Sequence, residues 1–101
     1  MPNAGEVSLS DYRLFKTEEY RKRLDKIPGG DAVFINRKLE SQVYPQLKAA
    51  PFFGPNIKKL RGYDPETWRY RVGRFRIFYS VDEVEKIVFL ATIDHRKDAY
   101  R

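Results

Sequence analysis

The sequence predicts an α+β domain, two N-terminal helices packed on a largely antiparallel β-sheet in the order β-α-α-β-β-β-β. Three observations predict it. The first half spaces its apolar residues at helical intervals. Residues 68–79 alternate apolar and charged side chains at the period of a strand. Ile87-Val88-Phe89-Leu90-Ala91 is apolar without a break, as a central strand buried on both faces would be. A chain of 101 residues makes one domain with one modest core. Residues 1–10 are polar and expected to be flexible, which leaves 11–101 as the domain.

The elements follow in order. Tyr12-Arg13-Leu14-Phe15-Lys16 is a short strand. Thr17 is an N-cap, with Glu18 and Glu19 in the first turn and basic residues beyond, a distribution that suits the helix macrodipole. That helix should run to about Ile27 and stop at Pro28-Gly29-Gly30. Asp31 should cap a second helix whose Ala32, Ile35, Leu39, Val43 and Leu47 form one apolar face. Pro45 lies inside the pattern and should either kink the helix or end it. Pro51-Phe52-Phe53-Gly54-Pro55 is a loop whose aromatics should plug the join between helices and sheet. Ile57–Arg61 reads as a strand, Asp64-Pro65-Glu66 as a turn, and Asp82-Glu83-Val84 as the turn before the last strand. No repeat or low-complexity tract interrupts this order.

Composition narrows the function. Apolar residues make up 42% and aromatics 15%, which suits a folded globule, although 34% of the chain is charged. No apolar run is long enough for a membrane helix, and no signal peptide is visible, so a cytoplasmic protein without membrane association is expected. With no cysteine and a single histidine, neither disulfides nor a protein-built metal site is expected, and no cofactor is implied. The net charge is +6, and between Thr67 and Val81 there is no acid. Clustering of that kind favours a polyanionic partner over simple solubility.

The charge is concentrated in Trp-Arg-Tyr-Arg-Val-Gly-Arg-Phe-Arg-Ile-Phe-Tyr, residues 68–79, which hold four arginines. Val72-Gly73-Arg74-Phe75 fits a type II′ hairpin turn, with glycine at the first central position. The turn sets the register, so Val72 faces Phe75, Arg71 faces Arg76, Tyr70 faces Ile77, Arg69 faces Phe78 and Trp68 faces Tyr79. Trp68, Tyr70, Val72, Phe75, Ile77 and Tyr79 then share a core face. The opposite face sets Arg71 across from Arg76 with Arg69 alongside. Like charges directly opposite destabilise a sheet. An anionic ligand, most simply a phosphate backbone, removes that penalty, so the face reads as a polyanion site. Lys58, Lys59, Arg61 and Arg74 lie close enough in sequence to extend it.

Beyond the last strand, Asp94-His95-Arg96-Lys97-Asp98-Ala99-Tyr100-Arg101 holds the only histidine. Three strings together, Lys59–Gly62, Trp68–Tyr79 and His95–Tyr100, resemble the RelE/ParE superfamily of toxins from type II toxin–antitoxin modules. The resemblance covers the domain after its first ten residues and implies a fold like that of microbial ribonucleases. It also implies a cognate antitoxin forming a hetero-oligomer and, in the RelE branch, cleavage of messenger RNA on the ribosome. By the same resemblance Arg69 and Arg71 match the cationic pair of the first hairpin strand, and Arg76 matches an arginine at the scissile phosphate. Arg96 matches a second such arginine, and Tyr100 matches a tyrosine that stacks on the substrate base. RelE-like patterns carry lysines where Arg69 and Arg71 stand, and arginine stays protonated and cannot serve as a base. His95, the one side chain that titrates near neutrality, is therefore expected to move the proton, with Arg71 and Arg76 stabilising charge at phosphorus. The alternatives are a ParE-like inhibitor of DNA gyrase that binds without hydrolysis, and a non-toxic basic nucleic-acid-binding relative.

Overall fold

A computed structural model of the chain describes residues 11–95. The expectations placed on 1–10, Arg96 and Tyr100 fall outside them. Five strands form one mixed sheet: β1 (Arg13–Lys16), β2 (Ile57–Lys59), β3 (Trp68–Val72), β4 (Phe75–Asp82) and β5 (Ile87–His95). The spatial order is β1-β5-β4-β3-β2. Only β1 runs parallel to its neighbour, β5; the other pairs are antiparallel.

Thr17 caps α1 (Glu18–Asp25) as its sequence predicts. Its Oγ1 accepts a hydrogen bond from the Tyr20 amide at 3.2 Å and lies 2.9 Å from the carbonyl oxygens of Leu90 and Ala91. One hydroxyl thus starts the helix and ties it to β5. α2 (Gly29–Lys38) begins earlier than expected. Pro28 is the N-cap and makes no side-chain bond, and Asp31 sits in the first turn with its carboxylate directed to His95.

The helix continues through a π turn (Leu39–Val43) into α3 (Tyr44–Ala49), so Pro45 neither ends it nor leaves it regular. The spacing of the buried residues explains the π turn. Ile35, Leu39, Val43 and Leu47, each at most 1% exposed, recur every fourth residue. Each such step overshoots an α-helical turn by about 40°, and one inserted residue recovers about 100° of the accumulated drift. In the π turn the Tyr44 amide donates to the Leu39 carbonyl, five residues back.

These helices cover one face of the sheet. The core joins Tyr20, Ile35, Leu39, Val43, Tyr44 and Leu47 to Tyr70, Val72, Phe75, Ile77, Tyr79, Val88, Leu90 and Ile93. Its phenols are satisfied: Tyr20 and Tyr44 share a hydrogen bond of 2.7 Å, and Tyr79 donates to the Pro51 carbonyl at 2.7 Å. Of the two loop aromatics, Phe52 fills the join, 5.0 Å from Trp68 and 6.5 Å from Tyr12 between ring centroids. Phe53 does not, and is 75% exposed; its carbonyl is the part held, by Gln46 Nε2 at 2.7 Å.

β5 departs from the uniform burial its sequence predicts. It lies inside the sheet, but Val88, Leu90 and Ile93 are buried while Ala91 is exposed. The cause is a β-bulge. Tyr79 pairs with Leu90 and Phe78 with Thr92, so Ala91 has no partner on β4. The bulge puts Ile93 and His95 on the helix-covered face, and Thr92 and Asp94 on the other.

Candidate nucleic-acid interface

The hairpin has the predicted register at all five pairs, from Val72 opposite Phe75 to Trp68 opposite Tyr79. Gly73 has φ +58°, and a Cβ there would stand 2.8 Å from the Phe34 ring of α2, so both conformation and packing require glycine. The face turned away from the helices carries Arg69 and Arg71 on β3, Arg76 and Phe78 on β4, and Thr92 and Asp94 on β5. Lys58 of β2 pairs with Arg69 and joins them.

Arg71 meets Arg76 at a close position in the ladder. The Arg71 amide donates to Asn56 O at 3.0 Å, away from β4, which makes the pair a non-hydrogen-bonded one, where opposed side chains approach most nearly. Among the described residues none of Arg69, Arg71 and Arg76 takes part in an ion pair. Desolvation, then the charges of Arg71 and Arg76, lowers the pKa of the Arg69 guanidinium from its ordinary value. Asp94 stands opposite Arg76 in the register, yet its carboxylate is held by Arg23 at 2.7 Å from the sheet edge. The Arg76 guanidinium lies 5.9 Å from the centroid of the Phe78 ring. Arg69 Nε, Arg76 Nε and Thr92 Oγ1 are enclosed with no hydrogen-bond partner among the described residues. Together these features make a cationic surface whose three arginines have no ion pair among the described residues.

Not every expected residue reaches this surface. Lys59 shares the opposite face with Trp68, 6.0 Å from that ring, and its ammonium pairs with Glu66 at 3.1 Å. Arg74 is at the exposed hairpin tip, and Arg61 in the exposed loop after β2. His95, to which the sequence assigns proton transfer, does not stand beside the arginines. It pairs with Phe75 on the helix-covered face, with its ring 4.7 Å from the Phe75 ring and edge-on to it. Its Nε2 stands 3.3 Å from Asp31 Oδ2. With Arg23, Lys26, Ile27, Pro28 and Ile93 it lines a cavity of about 230 Å³ under α1. Unbroken alternation from Leu90 would have turned His95 toward the arginines, and the extra residue Ala91 reverses it. Sequence reasoning missed Thr92 and Asp94 for the same reason, and it assigned Phe78 no function. Among the described residues no group of three or more acidic or histidine side chains is placed to hold a metal.

A helix-backed five-stranded sheet, whose other face presents arginines with no ion pair among the described residues, defines a small basic protein of α+β class. Comparison with known proteins gives the family. Residues 17–100 match the profile of the ParE toxin of the type II toxin–antitoxin system parDE, and the chain belongs to this family, within the RelE/ParE superfamily. A segment of 46 residues is 39% identical to the candidate toxin RelE1 of Methanocaldococcus jannaschii, and covers 46% of this chain and 50% of that protein. The match thus spans about half the length of this curated relative. Among solved structures, the fold is similar to that in the RelBE2 toxin–antitoxin complex of Mycobacterium tuberculosis. There the TM-score is 0.67 at 24% identity, over 87% of this chain and 94% of that one. It is also similar to a free mutant form of the E. coli toxin RelE, with TM-score 0.62 at 21% identity over 89% of this chain and 88% of that one.

Proposed function

We propose that this toxin cleaves messenger RNA on the ribosome and is neutralised by a cognate antitoxin. The observation that carries the reading is the close Arg71–Arg76 pair, with Arg69 beside it, none of the three in an ion pair among the described residues. In cleavage by the 2′-hydroxyl, negative charge builds on the phosphoryl oxygens as the P–O5′ bond lengthens. Arg71 and Arg76 stabilise that charge, and Arg69 and Lys58 hold the flanking backbone. Arg96 adds a second phosphate contact and Tyr100 a stack on the substrate base, roles that rest on the family resemblance. The arginine face within residues 11–95 offers charge stabilisation and no side chain that titrates near neutrality, which supports dependence on the ribosome for proton transfer and for substrate alignment.

Solved relatives from M. tuberculosis and M. jannaschii are complexes of a RelE toxin with its antitoxin, which supports a hetero-oligomer with an antitoxin encoded beside this toxin. No helix among the described residues is long and apolar enough to cross a membrane; action on ribosomes would place the protein in the cytoplasm. The position of His95 also favours a second reading, inhibition of DNA gyrase by binding alone, because within residues 11–95 no histidine stands beside the arginines and the carboxylate opposite Arg76, that of Asp94, is held by Arg23. One experiment separates the two. Purified toxin is mixed with naked RNA, with programmed ribosomes and with gyrase. Cleavage on ribosomes alone is expected. Inhibited supercoiling with intact message would replace this reading by the second.

A further inference from the structure

We infer that Phe78 is a base-stacking platform built into the sheet beside the phosphate site, so that the ligand is single-stranded RNA with at least one base turned out of its stack. The inference rests on the RNA reading above and deepens it. Phe78 is a large apolar residue on the face where every nearby described cation lacks an ion pair. It lies directly opposite Arg69, one step along the face from Arg76 and opposite Thr92 on β5. The three polar atoms left without partners on this face belong to these same three neighbours. Orphaned atoms on three sides of one aromatic ring point to a ligand that is both flat and polar-edged, and a nucleobase is both.

The ring has a cover in the free protein, the Arg76 guanidinium 5.9 Å from its centroid. A phosphate offers that guanidinium a charge-assisted, two-pronged bond that an aromatic face cannot match. Phosphate binding therefore draws Arg76 off the ring and opens it, and the base next along the chain takes its place. Thr92 Oγ1, enclosed in the free protein, would have to be uncovered by the same movement to donate or accept at the edge of that base. A duplex keeps its bases stacked inside and cannot use the ring, which is why the platform selects single strands. Backbone cations alone would not discriminate in this way.

The test uses the whole chain and two fluorescent 2′-O-methyl hexanucleotides of equal charge, one complete and one lacking its central bases. Binding is followed by anisotropy for the wild type and for Phe78→Leu, Phe78→Trp and Arg76→Ala, each first shown to melt cooperatively. The wild type should bind the complete strand more tightly. Phe78→Leu should weaken the complete strand about five- to hundredfold, the range of one base–aromatic stack, and leave the abasic strand unchanged. Phe78→Trp should restore the preference. Equal binding of both strands by the wild type, with both weakened by Arg76→Ala, would leave the phosphate site standing and overturn the platform. A preference that survives Phe78→Leu would overturn it too. Failure of the wild type to bind either strand would overturn the platform, while the ribosome-dependent reading stands or falls by the cleavage assay above.

Discussion

Arg76 faces Arg71 across a close pair of the ladder, so each side chain raises the energy of the other in the free protein. Arg76→Ala should therefore abolish growth arrest while the melting temperature stays level or rises slightly. Induction in a sensitive host, with a thermal melt of the purified variant, checks both, and full toxicity would refute the assignment. His95 makes the opposite case. A general acid or base contributes about 10²- to 10⁴-fold in rate, but this ring lies on the helix side of the sheet, against Phe75 and Asp31. His95→Gln should keep cleavage on ribosomes within about tenfold of wild type, well short of such a loss. It should instead lower thermal stability, and Asp31→Asn should add little to that loss. A rate drop of several orders of magnitude with unchanged melting would return His95 to proton transfer. The arginines could be read from sequence because a two-residue turn fixes the register on both sides of it. His95 could not, because its face depends on Ala91, whose lack of a partner is a property of the β4–β5 pairing and has no residue-level signature.

At the scale of elements, the turn that sets the arginine face also fixes its attachment to the helices. Gly73→Ala puts an alanine at φ +58° and drives its methyl into Phe34. The left-handed backbone alone costs about 1–2 kcal/mol. Urea denaturation should show at least that loss, and the variant should bind RNA more weakly as the hairpin twists. A midpoint equal to wild type would mean that Gly73 does not hold a left-handed conformation in solution. Strand and helix existence was legible wherever periodicity was clean, as in the hairpin and α1. The π turn was only half legible. A strict four-residue spacing from Ile35 to Leu47 contains it, but the proline that interrupts the pattern suggests a break instead. The start of α2 was misread because an aspartate three residues after a proline is a good N-cap by type, while here its carboxylate is directed to a histidine 64 positions away on the last strand.

Over the whole molecule, phenol hydroxyls join helix to helix and sheet to loop. Tyr20 of α1 meets Tyr44 of α3, and Tyr79 of β4 meets the Pro51 carbonyl. Burial is the leading cause that raises the pKa of all three above the ordinary tyrosine value. A raised pKa means that the folded state keeps protons which the unfolded chain releases, so the sign of the linkage is fixed. The stabilisation is complete below the unfolded tyrosine pKa, about 10, and is lost as pH rises beyond it. Each phenol can then add up to about 1.4 kcal/mol per pH unit to the decline. Urea midpoints should hold between pH 7 and 9 and fall steeply above about 10. Tyr79→Phe should start from a lower midpoint, since the Pro51 carbonyl loses its donor, and should decline less steeply with pH. An unchanged slope in that variant would show that Tyr79 ionises as freely in the fold as outside it. A midpoint flat to pH 11 in the wild type would contradict the linkage for all three tyrosines.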